Sequence, residues 1–143
     1  MIKQLCYHSR IKPGAGGRVL SVFRDILKTS QRNNQAQGLS GYLLFDKTYF
    51  AQVLEGPAAK VDETFARIKA DPRHSEVTPI GTRDRSSRQF GGWTMGGATL
   101  EVLQDREILL RHGLDIQGWQ LKLDCRGLID VALDFAHKRA ANG

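Results

Sequence analysis

Tyr49-Phe50-Ala51-Gln52-Val53-Leu54-Glu55-Gly56 reads as a short strand. Alternate side chains of a strand point to opposite faces, so Phe50, Gln52 and Leu54 share one face. Gln52 is thus an amide set into an apolar stripe. A buried amide without partners costs about 1–3 kcal/mol, so its donors and acceptor need either a neighbouring backbone or a polar ligand. Working outward, Leu39 to Asp46 is a second strand, and Asp46-Lys47-Thr48 turns it into the first as a hairpin. On the other side, Gly56-Pro57 opens a helix with proline in its first turn. Val61, Phe65 and Ile68 mark the buried face of that helix, and Asp71-Pro72 ends it.

Upstream, Val19, Val22, Phe23, Ile26, Leu27 and Ser30 form a helical stripe that runs to Asn33-Asn34, read as helix-end residues. Ser30 and Asn34 give that end a polar tip on its buried side. Met1 to Arg10 is a strand with Leu5, Tyr7 and Ser9 on one face and Cys6 and His8 on the other. Its apolar character on both faces suits a central strand covered twice. Tyr7 by itself reads as a core tyrosine whose hydroxyl finds a carbonyl. Pro13 to Gly17 is a glycine-rich loop without a dinucleotide fingerprint or a phosphate-loop lysine.

Downstream, the pattern predicts a strand over Glu76 to Thr82, a solvated polar turn from Arg83 through Arg85 and Arg88 to Gln89, and a fifth strand over Phe90 to Gly97. Trp93 and Met95 are expected to share a face of that strand. The tail then holds a helix over Leu100 to Arg111 and a linker from Gly113 to Lys122 with an exposed Trp119. A final helix is striped by Leu128, Val131, Ala132, Phe135 and Ala136. The order β-α-β-β-α-β-β gives an α+β, ferredoxin-like fold. Two helices cover one sheet face, and the two C-terminal helices are expected on the other.

The whole chain, 143 residues, is long enough for one core, and its 41% hydrophobic and 25% charged residues are those of a globular protein. No apolar run would span a bilayer and no secretory segment opens the chain, so a cytoplasmic location is expected. Cys6 and Cys125 make neither a disulfide framework nor a metal cluster and read as buried small hydrophobes in a reducing compartment. The net charge of +6 raises nucleic acid as a partner, but the basic residues are scattered. HExxH, CxxC, GxSxG and a facing carboxylate pair are all missing, as is a nucleophile–base pair by spacing, so an enzyme is not expected.

Six stretches in order carry a resemblance: Cys6-Tyr7-His8-Ser9, Thr29-Ser30-Gln31-Arg32-Asn33-Asn34, Leu39-Ser40-Gly41, Phe50 to Gly56, Asp71-Pro72-Arg73-His74-Ser75, and Phe90-Gly91-Gly92-Trp93-Thr94-Met95. Together they resemble the BLUF domain, a family of blue-light sensors that use flavin. The likeness covers residues 1–97 as the photosensory domain. Residues 98–143 resemble the helical extension of short members. The resemblance implies a non-covalent flavin, FAD above FMN or riboflavin, between the two helices over the sheet. It implies that Tyr7 donates an electron and a proton and that Gln52 bonds both Tyr7 and the flavin. Asn34 would bond the polar ring edge, with Ser30 and Asn33 beside it, while Ile26 and Ile68 clamp the ring. Arg67, Asp71, Arg73 and His74 would lie toward the ribityl-phosphate end, and Trp93 and Met95 would relay the switch. The output would pass to a signalling protein in trans, with a homo-oligomer expected. Two departures are the glycine-rich insertion Lys12 to Gly17 and Asn33, where some relatives carry histidine.

The residues themselves support this, because a flavin edge of carbonyls and ring nitrogens needs amides in an apolar pocket, and Gln52 and Asn34 are amides of that kind. Two other classes stay open. One is an acylphosphatase-like hydrolase using Arg73 and Asn34, although no phosphate-cradling loop adjoins the arginine. The other is a nucleic-acid module exposing Trp93 and Tyr42 on the sheet.

Overall fold

The computed structural model describes residues 1–12, 18–115 and 117–142. The elements run β1 (Ile2–Ile11), α1 (Val19–Gln37), β2 (Ser40–Phe45), β3 (Tyr49–Gly56), α2 (Ala58–Ala70), β4 (His74–Arg85), β5 (Gly96–Thr99), α3 (Val102–Arg111) and α4 (Cys125–Asn142). A 3-10 turn over Trp119–Lys122 precedes α4. The five strands order as β4-β1-β3-β2-β5, with β5 parallel to β2 and every other pairing antiparallel. This is the expected ferredoxin-like α+β sheet. The insertion predicted at Lys12 to Gly17 falls almost wholly outside the described residues.

The sheet separates two cores. Leu5, Tyr7, Leu43, Phe45, Phe50 and Leu54 pack against Phe23 and Ile26 of α1 and Val61 and Phe65 of α2. Cys6, Tyr42, Leu44, Ala51 and Val53 pack on the other side against Ile108 and Leu109 of α3, Trp119, and Leu128, Val131 and Phe135 of α4. Both faces of β1 are therefore covered, as its two-sided apolar run required. β1 and β3 pair with Tyr7 opposite Gln52, which brings their side chains onto one face.

Several expectations are corrected. α1 runs through Asn33 and Asn34 and ends at Gly38, whose φ of 71° is the left-handed cap that glycine adopts without strain, so the asparagines are not caps. β4 extends from His74 to Arg85, three residues beyond the predicted end, and tolerates Pro79 because it is an edge strand. Arg83 and Arg85 thus belong to a strand rather than a solvated loop. Arg88 is clamped, donating from Nη1 to Ser40 Oγ at 2.9 Å and from Nη2 to the Gly38 carbonyl at 2.6 Å.

The fifth strand starts only at Gly96. Trp93 and Met95 precede it in irregular backbone and face opposite cores: Trp93 packs edge-on to Tyr42 at 6.1 Å between centroids, on the α4 side, and Met95 is buried on the α1 side. Strand alternation cannot be applied to a segment whose backbone is not extended. Trp119 is fully buried, because its Nε1 donates to Asp46 Oδ2 at 2.7 Å in the hairpin turn. The tail is thereby fastened to the β2–β3 hairpin. α3 is fastened to α4 by buried Asp105, which accepts from Lys138 at 2.9 Å and Arg139 at 3.1 Å.

Candidate functional site

Between α1 and α2, over the middle of the sheet, lies a cleft of about 500 Å³, counting its open mouth. Every residue nominated above for the cofactor lines it: Tyr7, Ile26, Ser30, Asn33, Asn34, Gln52, Arg67, Ile68, Asp71, Arg73 and His74. Thr29, Leu54 and Thr64 also line it and were missed. Thr64 sits one turn after Val61 on the buried face of α2, so the helical stripe contained the signal that would have found it.

At the floor, Tyr7 Oη donates to Gln52 Oε1, and Gln52 Nε2 donates to Met95 Sδ at 3.3 Å. Gln52 is thus satisfied by two side chains rather than by backbone, and one of them is a thioether, a weak acceptor. Burial pushes the Tyr7 phenol well above its ordinary pKa, and the nearby Asp71 charge pushes the same way. The proton stays on Oη in the resting protein.

On the α1 wall, Asn34 Nδ2 donates to the Thr94 carbonyl at 2.7 Å, and Gln31 Nε2 donates to the Met95 carbonyl at 3.0 Å. The two amides hold the backbone just before β5. Asn34 keeps a second amide hydrogen and its oxygen to offer the cleft. Gln31 was not singled out from sequence, since a glutamine on a half-exposed helix position carries no pattern of its own.

At the α2 end, Asp71 is bridged by Arg73, with Nη2 to Oδ2 at 2.6 Å and the Arg73 backbone N–H to Oδ1 at 2.9 Å. Burial raises the Asp71 pKa, but these hydrogen bonds and the guanidinium charge outweigh it, and the net shift is downward. His74 Nδ1 lies 3.0 Å from Ser9 Oγ, and burial lowers the His74 pKa so that the ring is held neutral. Arg67 is exposed beside them, with Nη2 donating to Thr64 Oγ1 at 3.2 Å.

A second polar cluster supports the first. Glu55, fully buried, accepts from Gln4 Nε2 at 3.1 Å, Ser40 Oγ at 2.8 Å, Gln89 N at 3.0 Å and Phe90 N at 2.6 Å. It anchors the start of the segment whose end touches Gln52. Gly41 packs closely against that end and against β3: its N–H donates to the Trp93 carbonyl, and a Cβ there would meet Met95 Cε at 3.1 Å and the Val53 carbonyl oxygen at 2.0 Å.

Comparison with known proteins identifies a family. A family model described as "Sensors of blue-light using FAD" matches residues 2–96. The photoactivated adenylate cyclase subunit beta of Euglena gracilis is 38% identical over 79 residues, 54% of this chain but 9% of that protein. The chain therefore spans only a small part of the length of the curated relatives it matches. Among solved structures, the photo-activated state of BlsA superposes with a TM-score of 0.80 at 25% identity, covering 94% of each chain. A bacterial light-regulated adenylyl cyclase superposes with a TM-score of 0.66 at 33% identity, over 73% of this chain and 31% of that one.

Proposed function

The chain belongs to the BLUF family of blue-light sensors, and from that membership we propose that it is a flavin photoreceptor whose switch is the Tyr7–Gln52–Met95 chain of hydrogen bonds. The observation that carries the proposal is the position of Gln52. It lies between a buried phenol and the segment leading into β5, on the floor of the cleft. The donor set fits an isoalloxazine: Gln52 and Asn34 are amides, Ile26 and Ile68 are apolar walls, and Arg67 and Arg73 suit a phosphate. FAD is the form we assign, with residues 1–97 as the sensing domain and 98–143 as the extension. The protein works in the cytoplasm without catalytic turnover of its own, and its target is a partner protein or a second copy of the chain.

When bound, a flavin would supply the light absorption and the electron acceptor. Tyr7 is the donor within the floor. A phenol that has lost an electron is a strongly acidic cation, and a buried site resists that charge, so the Oη proton would move with the electron to its acceptor, Gln52 Oε1. An amide protonated at oxygen could pass a proton from nitrogen to the group that took the electron, leaving the imidic-acid tautomer, or rotate; return of the electron with a proton would then restore the Tyr7 phenol. Either change exchanges its donor and acceptor ends and withdraws the hydrogen that Nε2 gave to Met95 Sδ. Thr94 and Met95 then keep their bonds to Asn34 and Gln31 but lose the one to Gln52, and the backbone entering β5 shifts.

The test is the absorption spectrum of purified protein before and after blue light. Yellow protein with a red shift that decays in the dark is expected. In Tyr7→Phe, flavin stays bound and the shift disappears, as it does in Gln52→Leu. A normal shift in Tyr7→Phe would remove Tyr7 from the mechanism.

A further inference from the structure

The two cysteines have no part in the photochemistry described so far. Cys6 stands on β1 next to Tyr7, and strand alternation turns it to the opposite face, into the core under α4. Cys125 is the first residue of α4. Both thiols are free, and their sulfurs are 2.7 Å apart. Gly81, opposite Cys6 on β4, lies beside the pair: a Cβ at that position would be in ordinary van der Waals contact with Cys125 Cβ, at 3.4 Å. A central strand that carries Tyr7 on one face therefore touches α4 through a pair of oxidisable atoms on the other, and α4 is also tied to β5, where the proposed shift arrives, by Arg139 Nη2 donating to the Thr99 carbonyl at 2.9 Å.

We propose that Cys6 and Cys125 form a redox site that a low-molecular-weight disulfide converts to an internal disulfide, stapling β1 to the start of α4. Cys125 reacts first. It is 8% exposed where Cys6 is sealed, and it begins a helix, where local opening is least costly. The hydrogen bond with Cys6 lowers the Cys125 pKa against the opposing effect of burial, while that same bond and burial raise Cys6, so Cys125 is the thiol of the pair that ionises more readily.

With oxidised glutathione as the co-reactant, Cys125 Sγ attacks one sulfur of the S–S bond and releases the first glutathione thiolate. That thiolate takes the proton of Cys6. Cys6 Sγ then attacks Cys125 Sγ, forming the protein disulfide and expelling the second glutathione thiolate, which takes the proton Cys125 gave up. Two protein thiols are oxidised by two electrons, and one glutathione disulfide is reduced to two thiols. The staple leaves Tyr7 and Gln52 untouched but removes the freedom of α4 to move relative to β1. Oxidation thereby uncouples light absorption from output. This second half rests on the photoreceptor reading above.

Full-length protein is incubated in the dark with oxidised glutathione, denatured in iodoacetamide and weighed intact. The expected product is a monomer lighter by two hydrogens that takes up no iodoacetamide, and dithiothreitol restores both alkylation sites. Cys125→Ser, which keeps a small polar residue at the helix start, gives no internal disulfide. Two free thiols after treatment, a persistent glutathione adduct, or only intermolecular dimers would overturn the redox site. Hydrogen exchange in dark and light then reads the coupling. In oxidised protein the light-dependent difference over residues 124–142 is lost and the flavin red shift is kept. A retained difference in oxidised protein overturns the uncoupling alone. An absent red shift in reduced wild type would instead count against the photoreceptor reading, and the mass measurement would still decide the disulfide.

Discussion

On one face of the sheet, Leu44, Val53 and Cys6 lie beneath Trp119, Leu128 and Phe135, all sealed from solvent. On the other, Phe45, Phe50 and Leu54 share their layer with Tyr7 and Gln52, and Asn34 and His74 line the cleft beside them. The strands are the same; the covering differs. α4 closes its face with an unbroken apolar stripe, whereas α1 and α2 stand apart and leave a cleft with polar walls. Buried amides and a neutral histidine are costly to hold, and the dry face supplies the packing that keeps the wet face in shape.

The largest effect expected is on the dry face. Phe135→Ala should destabilise the protein by about 3–5 kcal/mol in denaturant titration, while Ile68→Ala at the half-buried cleft wall should cost about 1 kcal/mol in flavin-free protein. Equal costs would mean that stability is not concentrated under α4. Next comes the cleft itself. Asn34→Ala should weaken flavin binding about tenfold to a hundredfold by fluorescence titration. Unchanged affinity would confine Asn34 to holding Thr94.

A third comparison uses acid. The folded His74 has a lowered pKa, so protonation favours the unfolded chain: its contribution to stability is full above the ordinary histidine value and is lost as pH falls below it. Melting curves should fall below about pH 6.5, by at most about 1.4 kcal/mol per pH unit from this one group. His74→Gln should flatten that slope. His8, also lowered by burial, lies on the opposite side of β1 from Ser9 and should contribute a slope that His74→Gln leaves in place. The smallest effect is reserved for Met95→Leu. Volume is conserved, so stability should fall by less than about 1.5 kcal/mol. The red shift should persist, but the light-dependent exchange of residues 88–97 should shrink because Gln52 Nε2 has lost its sulfur acceptor. An unchanged exchange difference would show that Met95 does not carry the signal.

The wet face was the more legible of the two. Period-two alternation in Tyr49 to Gly56 put Gln52 beside Phe50 and Leu54, and the helical stripe through Ile26 and Ser30 reached Asn34 on its buried side. Those residues meet because strand and helix periodicities hold from end to end within an element. Legibility failed where an element stops. Gly38, rather than Asn33-Asn34, ends α1, and Gly91-Gly92 lie ahead of a strand that begins only at Gly96. Trp119 followed Gly118 in a stretch without periodicity, and its burial depends on Asp46, far away in sequence. Arg88 has its partners on Gly38, Ser40 and Glu55. No local pattern can encode contacts made across such separations.

Sheet order has one more consequence. β4 and β5 are consecutive in sequence yet occupy opposite edges, so the segment from Ser86 to Met95 crosses the ends of β1, β3 and β2 to reach its place. Its anchors are Gln4 on β1, Glu55 on β3, and Ser40 and Gly41 on β2. None of these is in position until the three central strands have paired. β5 adds no hairpin of its own, because it joins β2 in parallel through this long-range crossing. In the order of assembly β5 therefore comes after the central strands, and on unfolding it is the first strand to leave. A brief exposure to protease near the denaturation threshold should cut first between Ser86 and Gly97, while β1 to β4 remain paired and α4 stays packed on them.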